Sequence, residues 1–95
     1  MAVAEGFSQF GVALCGSGIG ISIAVNRHPA LRCALVSEPF SARLAREHND
    51  ANCIAMGARL IGADIAKACL DSFLSTGFAG GRHVGRVEKL ANPTI

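Results

Sequence analysis

Three short apolar runs, each ended by glycine or proline within two residues, alternate with segments of helical spacing in this chain. The runs at 10–15, 31–37 and 52–56 predict strands, and the first is expected to be buried on both faces, as in parallel sheets covered by helices. Predicted helices follow at 19–27, 40–48, 61–74 and 82–90. This alternation predicts parallel strands joined by right-handed crossovers, which is an α/β layered sheet.

The apolar spacing also predicts which helix faces are buried. In the second helix, Phe40 and Leu44 share a face and Arg46 lies on another. Pro39 suits the first turn of this helix, with Ser37 or Glu38 near its cap. In the third helix the expected buried stripe consists of Ile61, Ile65, Ala68, Cys69 and Phe73.

Composition narrows the class of protein. With 51% hydrophobic and 17% charged residues, residues 1–95 are expected to form one globular domain, small enough to favour oligomers. The net charge of +2 is scattered, which gives no footprint for nucleic acid or a membrane surface. The four cysteines form no CxxC pair, so we expect reduced thiols in a cytoplasmic protein and no zinc site.

Glycines alternate at the turn between the first strand and the first helix. Gly16, Gly18 and Gly20 let backbone N–H groups converge near a helix N-terminus, which favours a phosphate or a developing oxyanion. A turn that only allows close packing is the structural alternative. Dinucleotide spacing fails because Ile21 occupies the third glycine position, and no Gly-Lys-Ser/Thr follows for a P-loop.

Several reactive side chains accompany this turn. A Cys15 thiol facing the positive end of a helix has its pKa lowered, which suits a general base or nucleophile; otherwise it is a packed strand-end cysteine. Ser17 can donate a hydrogen bond to the same ligand. His48 is a solvated residue unless it lies near a thiolate, where it serves as an acid. Arg82 and Arg86, four residues apart, fit a phosphate or a solvated helix face.

Three segments together resemble the type B ribose-5-phosphate isomerases, whose wider family includes the galactose-6-phosphate isomerase subunits. They are CGSGIGISIAVNR, SEPFSARLAREHNDANCIAMGAR and GGRHVGRVEKL, and the likeness runs over residues 11–90. The resemblance implies a Rossmann-like parallel sheet in α/β/α layers, here with about three strands. It also implies isomerisation of D-ribose 5-phosphate to D-ribulose 5-phosphate through an enediolate. Two alternatives remain open. The substrate of the isomerase is galactose 6-phosphate or another hexose phosphate, or the chain is a catalytically silent sugar-phosphate-binding or assembly module.

The resemblance assigns roles to individual residues. Cys15 matches the catalytic base, Ser17 a group that holds the reacting oxygens, and His48 the acid that opens the furanose ring. Arg82 and Arg86 match the phosphate ligands. The further substrate contacts implied are Gly16, Gly18, Ile19, Gly20, Asn49 and Arg59. The resemblance further implies a homodimer with its site between subunits, and no metal or other cofactor.

The chain departs from the family at its beginning. Family members carry a preceding strand-helix-strand-helix portion, with an Asp-His pair that contacts the sugar and phosphate. Residues 1–6, MAVAEG, are interpreted as the tail of the family's second helix. The chain is therefore expected to be shortened at its N-terminus and to expose a sheet edge that its relatives cover.

Overall fold

A computed structural model describes residues 9–91, so the interpretation of residues 1–6 as a helix tail lies outside the described part. Within it, three parallel strands form one sheet in the order β1-β3-β2, flanked by four helices. The elements are β1 (Gly11–Cys15), α1 (Ile19–Asn26), β2 (Cys33–Leu35), α2 (Pro39–Asn49), β3 (Cys53–Gly57), α3 (Ala63–Leu74) and α4 (His83–Ala91). The predicted α/β sheet is thus confirmed. No helix over residues 9–91 is long and apolar enough to cross a bilayer.

The three strands are parallel, so their carboxyl ends lie at the same end of the sheet. Gly11 lies beside Cys53 and Cys15 beside Gly57, while Cys33 flanks Cys53 on the other side. Every residue of the central strand β3 is buried, as is typical of a strand that helices cover on both faces. Ligand sites of such sheets lie outside the carboxyl ends of the strands, which here means beside Cys15.

Successive residues of β3 contribute to two separate cores. Ile54 packs with Phe73 in the core beneath α2 and α3, where both are fully buried. Cys53 and Ala55 pack with Val25 of α1 in the second core. Because alternate residues of a strand point to opposite faces, the sheet lies between two helical layers.

The first strand differs from the prediction of burial on both faces. Val12 is 49% exposed and Leu14 61% exposed, whereas Ala13 packs against the core on the α1 side. Within residues 9–91, β1 pairs with β3 alone and forms an edge of the sheet. The prediction was wrong for β1 because α1 covers one face of this strand, while the described helices leave Val12 and Leu14 on the other face exposed.

The buried face of α2 also differs from the prediction. Phe40 is exposed, and Ala42, Ala45 and Arg46 are buried instead. The alanines let the helix approach its neighbours closely, and hydrogen bonds satisfy the Arg46 guanidinium. A count of apolar residues cannot foresee either effect.

The predicted stripe of α3 is correct at its C-terminal half. Cys69 and Phe73 are fully buried, but Ile65 is exposed. Ala66 and Leu70 pack against the core in its place. Ile61 of the predicted stripe, which lies before the first residue of α3, also packs against this core, so the prediction was wrong at Ile65.

The cap of α2 is confirmed as Glu38. Its carboxylate accepts hydrogen bonds from the amides of Phe40 at 2.7 Å and Ser41 at 2.9 Å, and from the Ser41 hydroxyl. Pro39 occupies the first turn of the helix. The Ser41 hydroxyl, followed by these amides, lowers the pKa of Glu38 against a smaller opposing effect of burial.

Candidate active site

The turn that follows β1 directs backbone amides at a thiol. The Gly18 N–H donates to Cys15 Sγ at 3.1 Å, and the Ile19 N–H donates to Ser17 Oγ at 3.2 Å. Gly18 has a φ of 79°, which lets the chain reverse directly into α1. We call residues 15–19 the Cys15 loop.

These amides change the acidity of the Cys15 thiol. The Ile21 backbone amide has the largest effect and lowers the pKa of Cys15, and the amides of Gly18 and Ser17 act in the same direction. Burial opposes them but does not outweigh them, because the residue is only half-buried. The sequence predicted this direction from the position of the thiol at a helix N-terminus.

The other three cysteines are buried free thiols whose pKa shifts the opposite way. Burial, followed by the neighbouring Cys53, raises the pKa of Cys33 to about 11. Burial also raises the pKa of Cys53 and of Cys69. Cys15 is therefore the thiol of the described chain that ionises most readily.

The glycines of the turn have different roles. A Cβ on Gly18 would lie 2.9 Å from the Met56 carbonyl carbon, so a side chain is excluded there. A Cβ on Gly20 would meet nothing within 4 Å. Gly57, at the end of β3, was missed by the sequence analysis: a Cβ there would lie 2.6 Å from the Ser17 carbonyl group. Its signal was a glycine at the carboxyl end of a buried strand.

Arg59 joins the Cys15 loop through both backbone and side chain. The Ala58 N–H donates to the Cys15 carbonyl at 2.8 Å, and the Arg59 N–H donates to the Gly16 carbonyl at 3.0 Å. The Arg59 side chain passes over Gly16, 3.4 Å from where a Cβ would stand. The Arg59 side chain therefore lies against the Cys15 loop.

A second group of predicted residues lies at the end of α2. The His48 ring stacks on His83 of α4, with centroids 4.5 Å apart and planes inclined by 15°. Glu47 Oε1 lies 3.7 Å from His48 Nε2, and the Glu47 carbonyl accepts the Ala79 N–H at 2.9 Å. Asn49 follows in the same turn. The sequence analysis did not single out His83, whose signal was a histidine between two arginines.

Two exposed arginines flank the buried His83 ring. Burial has the largest effect and lowers the pKa of His83, and the charges of His48, Arg82 and Arg86 lower it further. Glu47 opposes them. We call this set the His48 group; its members are His48, Asn49, Arg82, His83 and Arg86.

The Cys15 loop lies at the carboxyl ends of the strands, whereas the His48 end of α2 lies toward their amino ends. Cys15 ends β1 beside Gly57, whereas His48 ends the helix that leads into β3 at Cys53. A strand of five residues spans roughly 13 Å at about 3.3 Å per residue. Cys15 and His48 of one chain therefore do not meet. Among residues 9–91, no three or more His, Cys, Asp or Glu side chains are grouped to hold a metal ion.

Known proteins share this arrangement of elements. Ribose 5-phosphate isomerase from Thermotoga maritima superposes with a TM-score of 0.93 at 48% identity, over 95% of this chain and 62% of that one. Ribose-5-phosphate isomerase B of Escherichia coli is 46% identical over 95% of this chain. D-erythrulose-4-phosphate isomerase of Pectobacterium atrosepticum is 40% identical over 94% of it.

These similarities cover most of this chain but only part of each relative. The chain spans 60% of the length of the E. coli protein and 59% of the P. atrosepticum protein. A family model described as Ribose/Galactose Isomerase matches residues 1–90. The chain therefore belongs to the ribose/galactose isomerase family.

Proposed function

We propose that this chain carries the active-site residues of an aldose-ketose isomerase that interconverts D-ribose 5-phosphate and D-ribulose 5-phosphate. One observation carries the proposal: the half-buried Cys15 thiol has a lowered pKa and lies at the carboxyl end of a strand. Sheets of α/β proteins bind their ligands at that end. Isomerisation needs a base of this kind to move a proton between two carbons. Relatives named as ribose-5-phosphate isomerases support the choice of substrate.

In the proposed reaction the Cys15 thiolate removes the C2 proton of the open-chain aldose. The electrons of that C–H bond form the C1–C2 double bond, and O1 takes the negative charge. Transfer of the O2 hydroxyl proton to O1, and return of the proton from Cys15 to C1, complete the ketose. The Ser17 hydroxyl and the amides of the Cys15 loop stabilise the enediolate, because preformed dipoles stabilise charge that develops in the transition state.

The other predicted residues bind and open the sugar. His48 donates a proton that opens the furanose ring, and Asn49 contacts the substrate. Arg82 and Arg86 bind the phosphate, because guanidinium groups match its charge and geometry. Arg59 adds positive charge beside the Cys15 loop. The cytoplasm, where free thiols stay reduced, fits the four unpaired cysteines.

The site is proposed to form between two copies of the chain. Cys15 and His48 lie near opposite ends of the strands, which supports this proposal because one chain alone cannot bring both residues to the same sugar. In a two-fold dimer, the Cys15 loop of one copy meets the His48 group of its partner. Each dimer then has two equivalent sites.

The number of carbon atoms in the substrate sugar is tested separately from the reaction type. One relative is named for an isomerase of D-erythrulose 4-phosphate, a four-carbon substrate. The family description also includes galactose, a six-carbon sugar. Comparing kcat/KM for four-, five- and six-carbon sugar phosphates tests our assignment, which predicts the highest value for ribose 5-phosphate.

The test of the base compares Cys15→Ala with Cys69→Ala. Formation of the ketose from ribose 5-phosphate is followed for both variants and the wild type. Cys15→Ala should abolish turnover, whereas Cys69→Ala should retain it because that thiol is buried and its pKa is raised. Turnover by Cys15→Ala at the wild-type rate contradicts the assignment.

Mixing two inactive variants tests the shared site. Cys15→Ala and Arg86→Ala each damage both sites of their own homodimer. Subunit exchange in an equal mixture restores one intact site in each mixed dimer, so about one quarter of wild-type activity should return. An exchanged mixture without activity would place both residues in one chain's site and contradict the proposal.

A further inference from the structure

Arg46 is a buried arginine on α2, and the proposed reaction does not use it. It is 8% exposed, and its guanidinium makes three hydrogen bonds. Nη1 donates to Asp50 Oδ1 at 2.8 Å and to the Ala51 carbonyl at 2.7 Å. Nε donates to the Thr76 carbonyl at 3.3 Å.

Two aromatic rings complete the surroundings of this guanidinium. Arg46 Cζ lies 4.9 Å from the centre of the Phe10 ring and 5.9 Å from that of Phe73. Removing an arginine from water is costly, and ring faces and hydrogen bonds offset that cost. A lysine ammonium, as a point charge, cannot reproduce donors that diverge from a planar fork.

The partners of Arg46 belong to segments that meet at the end of α2. Asp50 ends that helix in a left-handed conformation with a φ of 47°. Its carbonyl also accepts from Arg32 Nε at 2.9 Å, which joins it to the residues before β2. Thr76 begins the segment that leads to α4, and the Ala79 amide of that segment is bound to α2. One guanidinium thus joins α2 to the chain that leads into α4.

This position matters because α2 and α4 each carry part of the His48 group. His48 follows Arg46 by two residues, and Arg82 follows Thr76 by six. The stack of His48 on His83 forms only if the two helix ends keep their relative placement. Arg46 connects both sides of that contact through its hydrogen bonds to Asp50, Ala51 and Thr76.

We propose that Arg46 is a positioning residue that sets the geometry of the His48 group for phosphate and sugar binding. This inference rests on the proposed function for its significance, but its geometric claim concerns the histidine stack alone. Arg46 acts through the end of α2 and through Thr76. It is not a catalytic residue.

The test compares Arg46→Lys and Arg46→Met with Arg27→Met, an exposed arginine at the C-terminal end of α1. NMR of ¹³C-labelled histidine reports the ring shifts of His48 and His83, and the pKa of His83. In both Arg46 variants the ring-current shifts of the stack should diminish. The pKa of His83 should rise, since solvent and distance weaken the burial and the neighbouring charges that lower it. Arg27→Met should match the wild type.

A second arm uses inorganic phosphate as the probe. Both Arg46 variants should bind phosphate roughly tenfold more weakly than the wild type, as the guanidinium groups of the His48 group lose their alignment. Absence of phosphate binding by the wild type would count against the proposed function, while the histidine arm would still decide the role of Arg46.

Several outcomes would overturn the inference. A folded Arg46→Lys or Arg46→Met protein with wild-type histidine shifts would show that the stack forms without this guanidinium. Loss of the whole fold in both variants would make Arg46 a general core residue with no specific role. Exchange protection of the Val36 amide, which donates to Ala55 in the sheet at 3.0 Å, reports whether the fold persists.

Discussion

Replacing Gly57 with alanine should disturb the Cys15 thiol without touching it. The new Cβ would lie 2.6 Å from both the carbonyl carbon and the carbonyl oxygen of Ser17. These are backbone atoms, so the Cys15 loop itself must move. Overpacking of this kind costs about 1–3 kcal/mol of unfolding free energy. Gly20→Ala is the matched control, because its Cβ meets nothing within 4 Å and alanine favours a helix by up to about 1 kcal/mol.

Two measurements check this prediction. Thermal unfolding should show a melting temperature several degrees lower for Gly57→Ala, and unchanged or higher for Gly20→Ala. Thiolate absorbance against pH should show the pKa of Cys15 rising toward its ordinary value in Gly57→Ala, because the Ser17 and Gly18 amides move away. A Gly57→Ala protein with wild-type stability and wild-type Cys15 titration would refute this reasoning.

Three further predictions follow from burial and pKa. Iodoacetamide should alkylate Cys15 of the folded protein first and leave Cys33 unmodified near neutral pH, as mass spectrometry of the peptides would show. Phe73→Ala should cost about 3–5 kcal/mol in chemical denaturation, whereas Leu74→Ala, at a half-exposed position, should cost far less. The depressed pKa of Glu38 stabilises the fold above its ordinary pKa, and this contribution disappears as pH falls through the folded value. The stability difference between wild type and Glu38→Ala should therefore shrink in acid, as thermal melts against pH would reveal.

The order of elements was predictable because parallel α/β folds leave a strong pattern. The buried run ending at Met56, the turn after Cys15 and the Pro39 start of α2 each carry a local signal. Local signals of this kind depend on residues a few positions apart. They therefore survive without knowledge of the tertiary contacts.

Burial was less predictable because it depends on distant partners. Arg46 is buried since Asp50, Ala51 and Thr76 satisfy its donors, and the last lies 30 residues away. Phe40 is exposed although it lies in an amphipathic segment. The spacing of apolar residues gives a helix face but not the elements available to cover it.

In the candidate site, too, local contacts were predictable from the sequence and contacts between distant residues were not. The Cys15 loop was predictable from alternating glycines beside a cysteine, since its amide contacts are local. The stack of His48 on His83 joins residues 35 positions apart, and the steric need for Gly57 arises from a loop some 40 residues earlier. Gly57 and His83 each carry a local signal, but that signal does not identify the distant residue that each of them meets.

Exchange of the substrate C2 hydrogen with solvent tests the proposed role of Cys15 most directly. Ribose 5-phosphate is incubated in D₂O with the full chain or with Cys15→Ala, and proton NMR follows the C2 signal. We predict that the wild type replaces the C2 proton with deuterium as the ketose forms, and that Cys15→Ala binds the sugar phosphate without exchange. Binding by the wild type without exchange would indicate a silent sugar-phosphate-binding module, and exchange by Cys15→Ala at the wild-type rate would assign the base to another residue.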